Sequence, residues 1–121
     1  MLKTSKDLAH RLAAVADDKK AHNIVILNMH GISTMADYFI ICHGTSEKQV
    51  QAIAREIKDT AEIEQIDVKR MEGFDNARWV LVDLGDVIVH VFHKDDREYY
   101  QLEKLWGDAQ LEHFESIVKN E

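Results

Sequence analysis

The apolar residues of the chain recur in two periods, and each period predicts one type of secondary structure. Three stretches carry an apolar stripe at helical spacing: residues 5–18, 46–61 and 95–106. At the start of the second stretch, Ser46 and Gln49 have capping-box spacing, which places an amide three residues after a hydroxyl cap. Gly107 follows the third stretch and is typical of a C-terminal cap. The sequence therefore predicts three helices.

Five shorter stretches are apolar and rich in β-branched residues, as is typical of strands. They cover residues 24–27, 37–42, 66–71, 79–84 and 87–92, of which the third is the weakest. Residues 30–34 are predicted to form a loop and residues 73–76 a turn. The predicted order α-β-β-α-β-β-β-α indicates an α/β (α+β) domain, in which a mixed β-sheet of about five strands is covered by helices.

The last two predicted strands form a hairpin, because Gly85 and Asp86 between them make a two-residue turn of the Gly-X kind. This turn sets the register and so assigns each side chain to one face. One face is entirely aliphatic and is predicted to be core: Val80, Val82, Leu84, Val87, Val89 and Val91. The other face carries Trp79, Leu81, Asp83, Ile88, His90 and Phe92.

Two interpretations of this second face are open. Helices on both sides of the sheet would make it a second core layer, with Asp83 and His90 satisfied at its edge. Alternatively, it is a partly exposed apolar patch whose aromatic anchors bind another protein. Periodicity alone favours the first interpretation. The cost of burying an ionised Asp83 without a partner, several kcal/mol, favours the second.

Net charge limits what the protein can bind. The 121 residues carry a formal net charge of −7, so the domain lacks the clustered cations that general binding to nucleic acid or to an anionic membrane requires. An acidic domain can instead attract a basic protein. We find no signal or transit peptide and no apolar run long enough to cross a bilayer, which predicts a cytoplasmic protein.

One domain is predicted over residues 1–107, because no proline and no Gly/Ser-rich linker interrupts it. Residues 108–121 form an acidic tail. Within the tail, Leu111, Phe114 and Val118 have helical spacing and predict a weak helical turn, although a solvated tail is the interpretation we favour. Cys42 ends an apolar run and is predicted to be a small buried hydrophobic residue in a reducing compartment, not a reactive thiol.

The strongest candidate for catalysis is Gly44-Thr45-Ser46, which lies between a strand and a helix, where nucleotidyltransferase folds bind phosphate. Those enzymes also hold divalent metal with two acids at alternate positions of the following strand. Here Asp67 is followed by Lys69 at the second position, and a cation cannot bind the metal. No histidine or cysteine spacing indicates a metal site, and no nucleophile motif is present. We therefore expect no catalytic residue, metal or cofactor, and interpret the segment as a helix cap.

Four segments carry a resemblance that spans about residues 5–107: ADYFIIC at 36–42, GTS at 44–46, RWVLVDLGDVIVHVF at 78–92 and YQLEKLW at 100–106. Together they resemble the ribosomal silencing factor family, also called the Iojap-like family, and the third segment is long and specific. The resemblance implies a fold like that of an inactive nucleotidyltransferase. It also implies binding to the large ribosomal subunit through ribosomal protein fourteen, which blocks joining with the small subunit and represses translation when nutrients are short.

The resemblance further implies a docking surface on the second face of the hairpin, and so favours partial exposure of that face. The residues assigned to it are Trp79, Leu81, Asp83, Ile88, His90 and Tyr100. Trp79 and Leu81 would be the apolar anchors, and Asp83 would meet a basic group of the partner. Tyr100, on the following helix, would border the patch.

Two other functions stay open on the sequence. The chain could be a divergent metal-dependent nucleotidyltransferase that uses Gly44-Thr45-Ser46, which nucleotide binding measured by calorimetry would reveal. The free protein could also form a homodimer through the apolar hairpin face. Such a dimer is compatible with docking if it opens, and mass measured with and without large subunits would detect it.

Overall fold

The helices and strands largely follow the predicted order. The computed structural model describes residues 4–31 and 36–96, together with the backbone of residues 110–112. The elements are α1 (Ser5–Asp18), β1 (His22–Asn28), β2 (Tyr38–Gly44), α2 (Glu47–Ile63), β3 (Arg70–Glu72), β4 (Trp79–Asp83), β5 (Val87–His93) and β6 (Gln110–Glu112). Residues 94–96 are helical as well. The rest of the helix predicted over 95–106, its cap Gly107 and most of the loop over 30–34 lie outside the described residues.

The strands form one mixed sheet with the order β3-β4-β5-β2-β1-β6. At its centre, β2 and β5 pair in parallel, and the other neighbouring strands pair antiparallel. A parallel pair needs a crossover connection, and α2 lies within this one. The mixed sheet with helices that the sequence predicts is therefore confirmed.

Both described helices pack on the same face of the sheet. Their apolar stripes join alternate residues of β2, β4 and β5 in one core. The six residues of the predicted aliphatic face are each exposed by 5% or less. Val80 lies opposite Val91, and Val82 lies opposite Val89, as the turn predicted. Cys42 is buried in this core, which confirms its interpretation as a small hydrophobic residue.

The start of α2 is fixed by side-chain caps. Ser46 Oγ accepts a hydrogen bond from Gln49 N at 3.1 Å, which confirms the predicted cap. The carboxamide of Gln49 accepts from Thr45 N at 2.7 Å and donates to the carbonyl of Lys20 at 3.0 Å. The N-terminus of α2 is thereby joined to the chain just after α1.

The end of α2 explains why the third predicted strand was placed too early. Gln65 has a φ of 62°, and its N–H donates to the carbonyl of Glu62 at 3.0 Å. The N–H of Ile66 donates to the carbonyl of Ala61 at 2.7 Å, which completes a Schellman cap. Because this cap uses the Ile66 N–H, no strand begins at residue 66. The prediction over 66–71 is wrong for its first four residues, since β3 begins at residue 70.

Replacing Gln65 with glycine is expected to raise the free energy of unfolding by about 0.5–1 kcal/mol. Glycine adopts the left-handed conformation without a Cβ clash, and its larger unfolded-state entropy offsets part of that gain. Urea unfolding followed by circular dichroism measures the difference. Gln65→Ala is the matched control, because it keeps the Cβ and gains nothing at this φ. Equal stabilities of the glycine and alanine variants would contradict the prediction.

A sixth strand is present that the sequence analysis did not predict. β6 pairs antiparallel with β1, and Leu111 lies opposite Leu27. The helical turn predicted through Leu111 is therefore wrong at that residue, and a solvated tail is wrong for residues 110–112. Three apolar residues at helical spacing are a weak signal, whereas the edge of β1 offers unpaired backbone groups that an extended segment can satisfy.

Candidate functional site

The second face of the hairpin points away from the two described helices, and we call its six residues the hairpin face. They are Trp79, Leu81, Asp83, Ile88, His90 and Phe92. The three on β4 are partly exposed, whereas Ile88, His90 and Phe92 on β5 are 8%, 5% and 1% exposed. β5 lies between β4 and β2, while β4 has β5 on one side and only the three residues of β3 on the other. The partial exposure expected for this face is therefore present on β4, and it is wrong for Ile88 and His90.

Neighbouring strands extend the hairpin face into a second apolar cluster, separate from the helix-side core. Its buried members are Leu27, Met29, Ala36, Phe39, Ile41, Ile88 and Phe92. Trp79 and Leu81 are only partly buried and pack against this cluster. Each of them combines a firm apolar contact with accessible surface, which is the combination typical of anchors in protein interfaces.

Among the described residues, Phe92 and His90 contact the Trp79 side chain in ways that orient it. Its ring stacks on Phe92, with 5.1 Å between the centroids and 27° between the planes. Its Nε1 donates a hydrogen bond to Nδ1 of His90 at 3.1 Å. Stacking restricts the tilt of the indole, and the hydrogen bond restricts its flip about the Cβ–Cγ bond, because only one flip points Nε1 at His90. The partly exposed indole is therefore held in a defined orientation.

His90 is enclosed by aromatic side chains. Its ring meets Phe39 edge-on, with 4.9 Å between the centroids. Burial lowers the pKa of His90 from 6.5 to about 4, so the imidazole is neutral at pH 7. Because Nδ1 accepts the hydrogen bond from Trp79, the single ring proton lies on Nε2. Nε2 has no hydrogen-bond partner in the described part of the chain.

Asp83 is paired within the chain. Its Oδ1 accepts from Gly85 N at 2.9 Å, which braces the turn where Gly85 has a φ of 88°. Its Oδ2 accepts from Arg70 Nε at 3.2 Å, and Arg70 lies opposite Asp83 in the β3–β4 register. Sequence reasoning missed Arg70 because a longer loop joins these strands and leaves their register open. The ion pair offsets the cost of burying the carboxylate, whose side chain is 16% exposed.

The loop between β3 and β4 supports Trp79 from the backbone side. Gly73 has a φ of 80°, and a Cβ there would overlap the carbonyl oxygen of Trp79, so glycine permits this approach. Two side chains of α2 hold the same loop. Gln51 Nε2 donates to the carbonyl of Phe74 at 2.9 Å, and the guanidinium of Arg55 lies 5.1 Å from the Phe74 ring centroid. The sequence predicted a turn here, but not its contact with Trp79.

The structure brings five of the six predicted docking residues together on the hairpin face, and Tyr100 lies outside the described residues. Two further residues of the cluster, Phe39 and Phe92, contact the site and were not assigned to it from the sequence. Strand alternation had placed Phe92 on the same face as Trp79, but the docking set did not include it. Phe39 could not be placed there from the sequence, because only the parallel pairing of β2 with β5 sets it beside the hairpin.

The Gly44–Ser46 segment serves as a helix cap. The carboxamide oxygen of Gln49 accepts the Thr45 N–H, a donor that a phosphate bound there would need. Among the described residues, no three His, Cys, Asp or Glu side chains are placed to hold a metal ion. Nor does that part of the chain contain a helix with the length and apolar character needed to span a bilayer.

A sequence profile of the family described as ribosomal silencing factor during starvation matches residues 2–121. The chain belongs to this family. The ribosomal silencing factor RsfS of Bacillus subtilis is 69% identical over 106 residues, which cover 88% of this chain and 90% of that protein. The ribosomal silencing factor RsfS of Halalkalibacterium halodurans is 57% identical over 115 residues, which cover 95% of this chain and 98% of that protein.

A solved structure supports the fold assignment. A protein from Chromobacterium violaceum superposes with a TM-score of 0.85 at 29% identity, and the match covers 98% of both chains. The family membership that the four sequence segments predicted is thus confirmed. The family is named for the silencing of ribosomes and not for a catalysed reaction.

Proposed function

We propose that the protein binds the large ribosomal subunit through ribosomal protein fourteen and sterically blocks joining with the small subunit. Translation is thereby repressed when nutrients are short. Membership of the ribosomal silencing factor family supports this proposal. The observation that carries it is the pair Trp79 and Leu81, two large apolar side chains that are partly exposed and packed on the second apolar cluster.

The proposed docking surface keeps all the residues predicted from the sequence: Trp79, Leu81, Asp83, Ile88, His90 and Tyr100. Trp79 and Leu81 make the main contacts, because they are partly exposed and also pack against the second apolar cluster. Ile88 and His90 are buried and support the anchors from beneath. Asp83 meets a basic group of the partner with the accessible part of its carboxylate, and Tyr100 borders the patch.

Charge supports a basic protein as the partner. The net charge of −7 favours encounter with the positive surface of a ribosomal protein and disfavours approach to RNA phosphates. The proposal therefore includes no direct nucleic-acid readout and no membrane binding. It places the protein in the cytoplasm, where ribosomal subunits join.

Blocking by occlusion requires affinity and position, but no turnover. The proposed mechanism therefore uses no catalytic residue, metal or cofactor, and the bound protein acts by occupying space that the small subunit needs. A homodimer of the free protein through the hairpin face would have to open before docking. Mass measured with and without large subunits tests whether such a dimer exists.

The experiment that tests the proposal mixes the purified protein with salt-separated large and small subunits on a sucrose gradient. We expect co-migration with the large subunit, and loss of the joined-ribosome peak when the small subunit is added. Small subunits alone serve as the control and should leave the protein at the top of the gradient. Failure to co-migrate with either subunit would overturn the proposal, and metal-dependent nucleotide binding by calorimetry would then be measured.

A further inference from the structure

We propose that His90 is a positioning residue: its imidazole orients the Trp79 indole for docking and does not itself touch the partner. This inference rests on the proposed function, since it assigns a role within the same surface. Within that surface, Trp79 contacts the partner, whereas His90 acts only through Trp79.

Burial excludes direct contact as the main role of His90. Its residue exposure is 5%, and it lies on β5 between β4 and β2. In the register, His90 lies opposite Leu81 on one side and Ile41 on the other. A partner resting on the partly exposed residues of β4 would reach Trp79 and Leu81 before the imidazole.

The hydrogen bond from Trp79 is the polar contact that the buried imidazole makes. Trp79 Nε1 donates to His90 Nδ1 at 3.1 Å, whereas Nε2 has no hydrogen-bond partner among the described residues. A buried ring with one nitrogen unsatisfied is costly if it serves only as core filling, because a phenyl ring of similar size would avoid that cost. A histidine at this buried position is explained if its Nδ1 is needed to accept the hydrogen bond from Trp79.

The acceptor fixes a degree of freedom that stacking leaves open. Phe92 lies against the Trp79 ring at 5.1 Å between centroids, and a stacked indole can still slide over Phe92 or flip about its own Cβ–Cγ bond. The bond to His90 selects the flip that points Nε1 at the imidazole. An anchor already held in its bound orientation loses less conformational freedom on association, which strengthens binding without any added contact.

Two substitutions of His90 separate the acceptor from the ring. His90→Phe keeps a flat ring and removes the acceptor, whereas His90→Asn places a carboxamide oxygen near the position of Nδ1 and restores it. We expect His90→Phe to weaken binding to isolated large subunits about fivefold, the change that corresponds to one hydrogen bond of about 1 kcal/mol. His90→Asn should recover most of that affinity.

A spectroscopic readout keeps the test independent of docking. The chain has two tryptophans, so ¹⁵N-labelled protein gives two indole N–H signals, and Trp79→Phe assigns one of them. In the wild type we expect slow solvent exchange at the Trp79 indole and histidine ¹⁵N shifts that place the His90 proton on Nε2. Exchange should accelerate in His90→Phe and slow again in His90→Asn.

The outcomes separate this inference from the proposed function. Reduced docking by His90→Phe with recovery by His90→Asn supports the inference. Docking of folded His90→Phe at wild-type affinity overturns it, while loss of docking by Trp79→Ala would still uphold the proposed surface. Wild-type docking by Trp79→Ala overturns the surface, and the inference with it. If His90→Phe does not fold, the wild-type spectrum decides, because a proton on Nδ1 of His90 is incompatible with the inference.

Discussion

Replacing both Trp79 and Leu81 with alanine is expected to abolish co-migration with the large ribosomal subunit while the chain stays folded. Loss of a central aromatic anchor weakens an interface by about 2 kcal/mol or more, which is about a 30-fold loss of affinity. Leu81 adds to this loss because, like Trp79, it is partly exposed and packs against the second apolar cluster. The fold should persist, because both residues are partly exposed and the buried members of the cluster are unchanged.

The matched control for this double variant is Ile63→Ala. Ile63 is 80% exposed at the end of α2, so the substitution also removes an accessible aliphatic side chain, but outside the hairpin face. It should sediment with large subunits as the wild type does. Circular dichroism establishes that both variants are folded. A folded Trp79→Ala, Leu81→Ala chain that sediments like wild type would remove the hairpin face from consideration as the docking surface.

Lowering the pH from about 6.5 to about 4 is expected to reduce the free energy of unfolding by about 3 kcal/mol through His90 alone. Burial lowers the pKa of this histidine from 6.5 to about 4, whereas the unfolded chain keeps the ordinary value. Between these two pH values His90 is protonated in the unfolded state but not in the folded state. The free energy of unfolding therefore falls as the pH falls. The contribution is fully present above pH 6.5 and is lost by about pH 4.

Urea unfolding at a series of pH values measures this dependence, with His90→Phe as the matched control. The variant has no group that titrates at this position, and every other titratable group is common to both proteins. The wild type should therefore lose about 3 kcal/mol more than His90→Phe across this pH range. The described rings around His90, those of Phe39, Trp79 and Phe92, do not titrate in it. Parallel stability curves would show that the pKa of His90 is not lowered in the folded state.

The hairpin shows how far local rules reach. Gly85 and Asp86 fixed the turn, the turn fixed the pairing of Val80 with Val91, and alternation then separated an aliphatic face from a mixed one. Each step depends on residues close together in the chain, so no long-range information was needed. The same holds for the start of α2, where the spacing of Ser46 and Gln49 was sufficient to predict the cap.

Asp83 shows where local rules stop. On the sequence, the cost of burying an ionised carboxylate without a partner favoured partial exposure of this face, because no partner for Asp83 could be identified. The structure supplies Arg70 from β3, thirteen residues away in sequence. Local pattern could not predict that pairing, since the loop over residues 73–78 leaves the β3–β4 register open, and one of its contacts, from Gln51 to the carbonyl of Phe74, comes from a helix distant in sequence.

The sequence was sufficient to predict α1, α2, β1 to β5 with a displaced start for β3, the mixed sheet, the aliphatic core face of the hairpin and the family. These follow from periodicity, turn chemistry and a long specific segment, all of which are properties of contiguous residues. Tertiary structure alone decided that β5 lies in the centre of the sheet, that both described helices share one face, and that β6 closes the edge beside β1. Strand order thereby buries His90 and leaves Trp79 at the accessible rim. Burial depends on which strands become neighbours, and that is settled by packing across the whole domain and not by the pattern within any one strand.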